Sequence, residues 1–419
     1  MLQNGNKYNP LFLGLTHIGQ VFSTCWRKKV GICAVYDFNK NRLEKFKNQN
    51  FLNEEPGLNN LKKKCKFEIL NNPKEIINYK VIFFTIDTSL NKENAYPNTK
   101  IVEDNYKKLS KIKFMSRVKV FLTSQVPVGF TSYLKKKYNN ENIELNYMVD
   151  TLQMGEALKK FLHPKHIIIG GNKNQKNFIL DLFNKFKCKK YIINHEEAEF
   201  IKMSTNLYLF FNVMFANIMD NFSSEINLNF SKITNILRND KRIGKYSYID
   251  PSIAISGGHL ERDCFFFKQL TSIQTNKKII SNLLKLNEER KKKFLNNIIK
   301  INKNKKKIKL LIIGISYKKN SFSITNSIFK DIFKSKKIDL YYYDDYFKKN
   351  LNLNIKEIGS LKNINNIDCI IYNYGSLNTL KTLKKITKKK NIKIINISNT
   401  ENHLFKSDLT YFKNEIKPL

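Results

Sequence analysis

The sequence predicts an α/β protein with an N-terminal Rossmann-type parallel sheet, a central helical domain with a long buried helix, and a smaller Rossmann-like α/β domain at the C-terminus. Three observations predict this order. Short apolar runs alternate with helix-length segments in the first half of the chain, the apolar period becomes helical near residue 196, and strand–helix alternation returns after residue 307. A chain of 419 residues also exceeds one ordinary hydrophobic core.

The predicted N-terminal domain, residues 1–195, contains the strand-like runs LFLGL, GICAVYD, VIFFTID, VKVFLTSQVPVG, NIELNYMVD and HIIIGG. These runs are rich in β-branched and aromatic residues, which is typical of strands that are buried on both faces of a sheet. The segments between most of them are long enough for crossover helices. The runs therefore predict βαβ units and a parallel sheet.

The predicted central domain, residues 196–300, shows helical periodicity and no clear strand pattern. Its longest apolar run, LYLFFNVMFANIM at 207–219, is shorter than the ~18–20 residues that cross a bilayer, so it predicts a buried helix and no membrane insertion. The runs IKLLIIGISY, IDLYYYDD, DCIIYNYG and IKIINISNT then predict the strands of the C-terminal domain, residues 301–419.

The basic composition does not by itself predict a nucleic-acid partner. The chain has 75 Lys and Arg against 35 Asp and Glu, a formal charge of +40. Because the lysines are spread along the whole chain, we expect solvated faces and no specific nucleic acid, although such a surface attracts phosphorylated ligands. The six cysteines are scattered without metal-like spacing, and with the polar start MLQNGNKYNP they indicate a reducing cytoplasm and no metal site.

The stretch LFLGLTHIGQ, residues 11–20, is a G-x-G-x-x-G turn with its middle glycine missing. Gly14 and Gly19 hold the outer positions, whereas Thr16 places a side chain where the backbone approaches a pyrophosphate. Asp37 stands at the end of the second strand-like run, where a carboxylate accepts ribose hydroxyls and favours NAD over NADP. A strand–turn–helix with two glycines also occurs without a cofactor, so this motif alone leaves both explanations open.

Further segments make the chain resemble the UDP-glucose/GDP-mannose dehydrogenase family. In chain order they are EEPGL (54–58), SQVPVG (124–129), EAEFIKMSTN (197–206), NDKRIG (239–244), SGGHLERD (256–263) and GISYKKNS (314–321). They resemble that family's E-P-G-L, S-T-V-P-V-G, A-E-x-x-K-x-x-x-N, D-x-R-I-G, G-G-x-C-x-x-x-D and G-x-x-F-K-x-x-T segments. The resemblance covers nearly the whole chain and implies the same three-domain order.

In that family, NAD oxidises a primary alcohol of a nucleotide-sugar twice, and a cysteine captures the intermediate aldehyde as a thiohemiacetal. The resemblance assigns catalysis to Lys202, Asn206 and Asp263. The first two lie four residues apart, so on a helix an ammonium and an amide can address one oxygen, although the pair also fits a solvated lysine beside a capping or core asparagine. Asp263 matches an acid that activates water or takes a proton.

Leu260 occupies the position of the family's cysteine, and a leucine cannot attack an aldehyde. The covalent route to a second oxidation is therefore absent. Cys264, four positions further on, would replace the thiol if the loop turned helically there. A lone cysteine before the run FFF is more typical of a buried hydrophobic residue.

The resemblance also implies binding residues. It assigns NAD contacts to Gly14, Thr16, Gly19, Asp37, Thr88 and Gln125, and substrate contacts to Asp150, Arg242, Gly257, Gly258 and Lys318. Among these, Gln125 replaces a threonine of the family and Asp150 a glutamate. The arginine at the position of Arg242 reaches a neighbouring subunit's substrate in the family, so its presence here, with the apolar helix at 207–219, favours a homodimer.

Three functions remain open at this point. The first is an NAD-dependent dehydrogenase of a nucleotide-sugar, UDP-glucose 6-dehydrogenase-like, with an altered or single oxidation because of Leu260. The second is a non-catalytic paralogue that binds a nucleotide-sugar or pairs with an active subunit, which Thr16 and Leu260 favour. The third, a nucleic-acid binder driven by positive charge, ranks last because the lysines form no patch with interleaved aromatic residues.

Overall fold

The computed structural model describes residues 8–48, 55–90, 97–316, 319, 324, 327–346, 355–361, 364, 366–389 and 392–397. Within them the chain forms two compact units. The first comprises residues up to Asn206 together with Arg262–Ser272, and the second comprises Leu207–Glu261 and the residues from Ile273 onward. The three-domain boundaries at 195 and 300 stay a prediction.

The first unit is built on an eight-stranded sheet with the strand order β10-β9-β8-β7-β4-β1-β2-β3. Its strands are β1 (Leu11–Leu13), β2 (Ala34–Tyr36), β3 (Glu68–Ile69), β4 (Val81–Phe84), β7 (Val118–Leu122), β8 (Ile143–Met148), β9 (His166–Gly170) and β10 (Lys189–Ile193), and a separate hairpin pairs β5 (Ser89–Leu90) with β6 (Pro97–Asn98). All neighbours in the large sheet are parallel except β8 and β9, which are antiparallel. The strand order reverses at β1 and β4, which is the point where ligands bind in open α/β sheets.

Helices cover this sheet. They are α1 (His17–Lys29), α2 (Lys40–Lys47), α3 (Leu58–Lys63), α4 (Lys100–Ser110), α5 (Phe130–Lys137), α6 (Ala157–Leu162) and α7 (Lys176–Leu182), with 3₁₀ turns at Pro73–Asn78 and Lys173–Gln175. Aromatic residues fill part of the core between sheet and helices: Phe12 stacks on Phe83 with ring centroids 4.9 Å apart, and Trp26 lies 5.3 Å from the same ring. Burial of such large rings dominates core energetics.

Long helices follow the first sheet. They are α8 (His195–Glu225), α9 (Phe230–Leu237), α10 (His259–Leu270) and α11 (Gln274–Ile301). The second unit then contains a parallel sheet of order β13-β12-β11-β14-β15. Its elements are β11 (Ile308–Ile313), α12 (Lys330–Lys334), β12 (Ile338–Tyr343), β13 (Lys356–Glu357), β14 (Cys369–Tyr372), α13 (Leu377–Lys389) and β15 (Lys393–Asn396). These two sheets and the helical region between them confirm the predicted fold class.

The same hydrogen-bonded turn occurs in each of the two large sheets. In the first, Leu15 N donates to the carboxylate of Asp37 over 2.7 Å directly after β1, and in the second, Ile315 N donates to the carboxylate of Asp344 over 2.9 Å directly after β11. In both cases the acid follows the neighbouring strand in the sheet. The carboxylate thus satisfies a backbone amide that the parallel ladder leaves unpaired.

The long central helix differs from the prediction of a buried helix. Phe210 and Met214 of α8 are buried, but Tyr208, Phe211 and Phe215 are between 41% and 61% exposed. The helix is apolar on more than one face, and the described residues cover only one of those faces. No helix in the described part of the chain is long and apolar enough to cross a membrane.

A buried glutamate anchors the start of α8. Glu199 is fully buried and accepts hydrogen bonds from Gly129 N at 2.6 Å, Thr131 N at 2.8 Å and Thr131 Oγ1 at 2.5 Å, at the first turn of α5. Its burial raises the pKa to about 7. One carboxylate therefore satisfies two backbone amides that the start of α5 cannot pair internally.

We expect Glu199→Ala to lower the free energy of unfolding by about 2–4 kcal/mol, because it leaves buried donors without an acceptor. Urea denaturation would measure the change. The matched control is Glu196→Ala, one turn earlier on α8, where the carboxylate is exposed and accepts from the Ser132 hydroxyl at the surface. Its loss should cost under about 1 kcal/mol. Equal effects of both variants would contradict the anchoring role.

Candidate active site

The outer glycines of the first turn are required by close contacts. Gly14 has φ +111°, and a Cβ on it would lie 2.8 Å from the Thr85 carbonyl oxygen at the end of β4. A Cβ on Gly19 would lie 1.7 Å from the carbonyl oxygen of Gly14. Only glycine at both positions lets the first turn of α1 pack against the ends of β1 and β4.

Thr16 replaces the missing glycine without capping the helix. Its hydroxyl donates to the Thr85 carbonyl over 2.8 Å and accepts from Asp87 N at 3.2 Å, so the side chain bonds to the residues after β4. Thr16 is the N-cap residue of α1, and its side chain makes no capping hydrogen bond. The first turn of α1 also contains no acidic residue, so its backbone amides are left without a negatively charged partner from that turn. Such amides fit the pyrophosphate group of a dinucleotide.

Asp37 was predicted to accept hydrogen bonds from the ribose, but both of its carboxylate oxygens already accept hydrogen bonds within the protein. Oδ2 accepts from Leu15 N and from Arg42 Nε, both at 2.7 Å. Oδ1 accepts from Asn39 N at 2.7 Å and from Arg42 Nη2 at 3.1 Å. A carboxylate offers about four acceptor positions, so a ribose hydroxyl would have to replace one of these donors.

The predicted catalytic acid lies in a buried polar cluster beyond the ends of β4 and β7. Asp263 on α10 is 1% exposed, and its Oδ2 accepts from Gln125 Nε2 at 2.5 Å and from Asn206 Nδ2 at 2.7 Å. Arg262 donates from Nη1 to the Thr88 carbonyl over 2.8 Å and from Nη2 to Gln125 Oε1. Gln125 thus bridges the arginine and the acid.

Burial raises the pKa of Asp263, and the nearby cation Arg262, the amides of Gln125 and Asn206, and Lys202 oppose that rise. A carboxylate with a raised pKa is a better proton acceptor near neutral pH than an ordinary aspartate. The cluster therefore contains a group suited to general base chemistry.

Lys202 contributes a positioned ammonium. Its Nζ donates to the backbone carbonyl of Asp150 over 2.6 Å and lies 3.9 Å from a carboxylate oxygen of the same residue. Lys202 and Asn206 are one turn apart on α8, and one binds Asp150 while the other binds Asp263. Their shared helix face, predicted from the i, i+4 spacing, is present in the fold.

The structure brings together one set of predicted residues: Thr88, Gln125, Asp150, Lys202, Asn206 and Asp263 all belong to the first unit. Thr88 and Gln125 were predicted to bind the cofactor, and here the Thr88 hydroxyl donates to the Gln125 backbone carbonyl over 2.5 Å. The second unit contains Arg242, Gly257 and Gly258. Lys318 lies outside the described residues.

The two glycines before α10 adopt the left-handed backbone conformation that favours glycine. Gly257 and Gly258 have φ of +94° and +77°, values that side chains other than glycine rarely adopt. Leu260 follows in the first turn of α10, three residues before Asp263. Cys264 is fully buried, which agrees with the alternative of a hydrophobic role for this thiol.

Several site residues escape sequence reasoning. Arg262 is adjacent to Asp263, but an arginine in a charged run is typical of a solvated surface, and only the fold shows that it is buried. Glu55 accepts from Gly155 N at 3.0 Å and Ala157 N at 2.7 Å, and the ring of His17 lies 3.3 Å from it. The segment EEPGL, which contains Glu55, was the sequence feature that could have identified this residue.

The second unit contains a cleft of about 1280 Å³. Cationic and aromatic side chains line much of it: Arg238, Lys241, Lys245, Tyr246 and Tyr248. Arg238 is paired with Asp250 at 2.6 Å, and Arg242 beside the cleft is 89% exposed and paired with Asp240. This lining suits a phosphorylated ligand that carries a ring.

Comparison with known proteins agrees with this arrangement. Residues 11–187 match the NAD binding domain of the UDP-glucose/GDP-mannose dehydrogenase family, and residues 196–289 match the central domain of that family. The UDP-glucose 6-dehydrogenase of Campylobacter jejuni is 31% identical over 297 residues, which are 67% of this chain and 72% of that protein. That of Rickettsia prowazekii is 25% identical over 58% of this chain and 57% of its own length.

Solved structures show the same fold. A UDP-glucose dehydrogenase from Pyrobaculum islandicum superposes with a TM-score of 0.83 at 17% identity, covering 96% of each chain. A UDP-D-ManNAc dehydrogenase from Pyrococcus horikoshii gives 0.77 at 18% identity over 93% of this chain and 95% of that one. The resemblance and the NAD cofactor inferred from the sequence are thereby confirmed, and the chain belongs to the UDP-glucose/GDP-mannose dehydrogenase family of NAD-binding nucleotide-sugar dehydrogenases.

Proposed function

We propose that this protein is an NAD-dependent dehydrogenase that oxidises the primary alcohol of the sugar in a nucleotide-sugar, UDP-glucose 6-dehydrogenase-like, and that the reaction ends after one oxidation. One observation carries the proposal. The buried acid Asp263 is bonded to Asn206, one helical turn from the positioned ammonium of Lys202, while Leu260 stands in the place of the family's thiol.

We assign a separate role in alcohol oxidation to each residue of the cluster. NAD, when bound, supplies the acceptor for the hydride that leaves the sugar carbon. Asp263, whose pKa is raised by burial, takes the proton of the hydroxyl group. Lys202 and Asn206 address the oxygen, where their ammonium and amide stabilise the negative charge that develops as the proton leaves. The α1 amides and the Gly14 turn hold the pyrophosphate.

Leu260 determines where the reaction ends. A second oxidation by the covalent route needs a thiolate that captures the aldehyde, and a leucine side chain cannot form that bond. Cys264 is fully buried on α10, one turn after Leu260, and does not stand at the position of the family's thiol. The expected product is therefore the aldehyde, with one NADH formed per sugar.

The lining of the cleft in the second unit supports a nucleotide-sugar as the substrate class. Its arginine, lysines and tyrosines suit a diphosphate attached to a base and a sugar, and the volume exceeds the range of ordinary small-molecule sites. By the family resemblance, we assign Lys318 to the same substrate and Arg242 to the substrate of a neighbouring subunit. The relatives named above act on UDP-sugars, which makes a UDP-sugar the first candidate.

A non-catalytic nucleotide-sugar-binding paralogue or partner subunit is the second candidate. The observation that favours it is the occupancy of the polar cluster. Asp263 already accepts two amides, and Lys202 Nζ already donates to a backbone carbonyl. If these bonds persist with ligands bound, the chain binds without turnover.

The assembly we propose is a homodimer through the exposed face of α8. Its exposed apolar residues recur at alternating spacings of three and four: Tyr208, Phe211, Phe215, Ile218 and Phe222. This is the spacing of a helix seam that packs against another helix. A second copy of the same helix fits it, because a two-fold pair places the same apolar seam on both sides.

The function is tested by stoichiometry. Purified protein is incubated with NAD and a panel of UDP- and GDP-sugars, and NADH formed per sugar consumed is counted. We expect one NADH per sugar, because no thiol is available, and we expect Leu260→Cys to raise the ratio towards two as acid appears. Leu260→Ser, which adds no nucleophile of comparable strength, is the matched control. Two NADH in the unaltered protein would contradict the single oxidation, and none would favour the paralogue.

The role of Lys202 gives a separate prediction. We expect Lys202→Ala to lower kcat/KM by about 10²- to 10³-fold while NAD binding stays unchanged, because the ammonium acts on charge that develops during the reaction. Steady-state kinetics and calorimetry with NAD would measure both quantities. Lys176→Ala, an exposed lysine on α7, is the control. A loss of NAD binding equal to the loss of rate would point to a structural role.

A charged substitution on the seam, the exposed apolar face of α8, tests the dimer. We expect Phe215→Glu to convert the dimer into a monomer in sedimentation velocity, because a buried carboxylate without a partner is strongly unfavourable at such a seam. Leu180→Glu places the same charge on α7, where the leucine is 41% exposed outside the seam, and should leave the mass unchanged. A monomeric unaltered protein at micromolar concentration would overturn the assembly.

A further inference from the structure

In the second unit, an irregular segment leads to the two glycines Gly257 and Gly258. Residues 251–258, which the structure describes throughout, form neither helix nor strand, and α10 begins directly after them at His259. Ala254 and Ile255 within this segment are buried. Buried backbone groups need hydrogen-bond partners, and in a segment without a strand ladder or a helical turn these partners come from side chains.

Side chains of α8 and α11 hold the start of this segment. Arg290 of α11 donates to the Ser252 carbonyl over 2.6 Å and to the Ile253 carbonyl over 2.9 Å. Asn217 of α8 accepts from Ser252 N at 2.8 Å. The backbone of two consecutive residues is therefore bonded to two helices.

Asn287 of α11 holds the end of the segment that leads to the glycines. Its side chain is fully buried, Oδ1 accepts from Ile255 N at 2.7 Å, and Nδ2 donates to the carbonyl of the same residue over 3.3 Å. Nδ2 also donates over 2.9 Å to Glu261 Oε1 in the first turn of α10. One amide therefore bonds on both sides of Gly257 and Gly258.

The carboxylate that accepts from Asn287 lies in charged surroundings. Lys291 Nζ is 3.8 Å from Glu261 Oε1 and 2.7 Å from Glu288 Oε1. Burial raises the pKa of the Glu261 carboxyl, the charge of Lys291 opposes the rise, Glu288 adds to it, and the Asn287 amide and Lys330 of α12 oppose it. A neutral donor suits this position, because an acid there would place a second carboxylate beside Glu261.

We propose that Asn287 is a positioning residue for the bound nucleotide-sugar: through Ile255 and Glu261 it fixes the conformation in which Gly257 and Gly258 receive the substrate. Glycine backbones are permissive, so the geometry of the pair depends on the bonds that hold the residues on either side. The inference rests on the proposed function, in which these glycines contact the substrate, and it gives Asn287 itself no contact with substrate or cofactor.

The variant Asn287→Asp tests the role of the donor, because it keeps the shape of the side chain and an acceptor for Ile255 N. Two carboxyl groups then share one buried site, and such a pair retains a proton with a raised pKa. Below that pKa the protonated carboxyl restores a donor to Glu261, and above it the two charges repel each other.

We therefore expect Asn287→Asp to lower kcat/KM for UDP-glucose about 10- to 100-fold at about pH 8, with partial recovery at about pH 6 relative to the unaltered protein. Steady-state kinetics across this range measure the effect. Asn282→Asp makes the same change at an exposed position of α11 and should keep the pH profile of the unaltered protein.

A second measurement tests the geometry without turnover. Asn287→Ala removes the acceptor of Ile255 N, so hydrogen–deuterium exchange in peptides that cover residues 252–258 should become about ten-fold faster or more. Calorimetry should show UDP-glucose binding weakened about ten-fold and NAD+ binding unchanged. Asn282→Ala is the control for both measurements. If Asn287→Ala does not fold, calorimetry on Asn287→Asp decides.

The outcomes separate this inference from the proposed function. NADH formation with the same kcat/KM and pH profile in the unaltered protein and in Asn287→Asp overturns the positioning role and leaves the dehydrogenase standing. Faster exchange over residues 252–258 without loss of UDP-glucose affinity also overturns it, because Asn287 would then serve stability alone.

The converse result separates the two proposals in the other direction. Weaker UDP-glucose binding in the Asn287 variants of a protein that forms no NADH supports the positioning role and overturns the dehydrogenase. Failure of the unaltered protein to bind any UDP- or GDP-sugar of the panel overturns both.

Discussion

A Cβ on Gly19 would lie 1.7 Å from the carbonyl oxygen of Gly14, and this close packing is the constraint on which the first unit depends. It sets the first turn of α1 against the ends of β1 and β4, where the strand order reverses. With the backbone there fixed, Thr16 bonds across to Thr85 and Asp87, and the helix amides stay open to an anion. The helix N-terminus that we propose for the cofactor is thus positioned by one close contact between two glycines.

The buried polar cluster around Asp263 depends on a different balance, the burial of opposite charges side by side. Arg262 and Asp263 are adjacent in sequence and both are almost fully buried, a placement that would cost several kcal/mol per ion without partners. Gln125 bonds to both, and Asn206 bonds to the acid. The same partners that stabilise the pair also orient the acid and keep its pKa below the value that burial alone would give.

The sequence predicted the features that have a local signature. Continuous apolar runs identified the strands β1, β2, β4, β7, β8 and β9. Ordered motifs pointed to Lys202, Asn206 and Asp263, whose catalytic roles stay a prediction. Features set by distant partners had no such signature. The antiparallel pairing of β8 and β9 leaves no trace in the apolar period, and the polar edge strand β10, KKYII, lacks the continuous run. The exposed face of α8 was missed because apolar composition alone does not reveal which faces the chain covers.

The bond from Leu15 N to Asp37, repeated between Ile315 and Asp344 in the other sheet, has a consequence for how such proteins evolve. An acid that holds the turn after the first strand is part of the architecture, so replacing it would disturb the turn as well as the ribose. The same carboxylate thus serves the fold and the ligand at once, so the effect of replacing it cannot be judged from ligand binding alone.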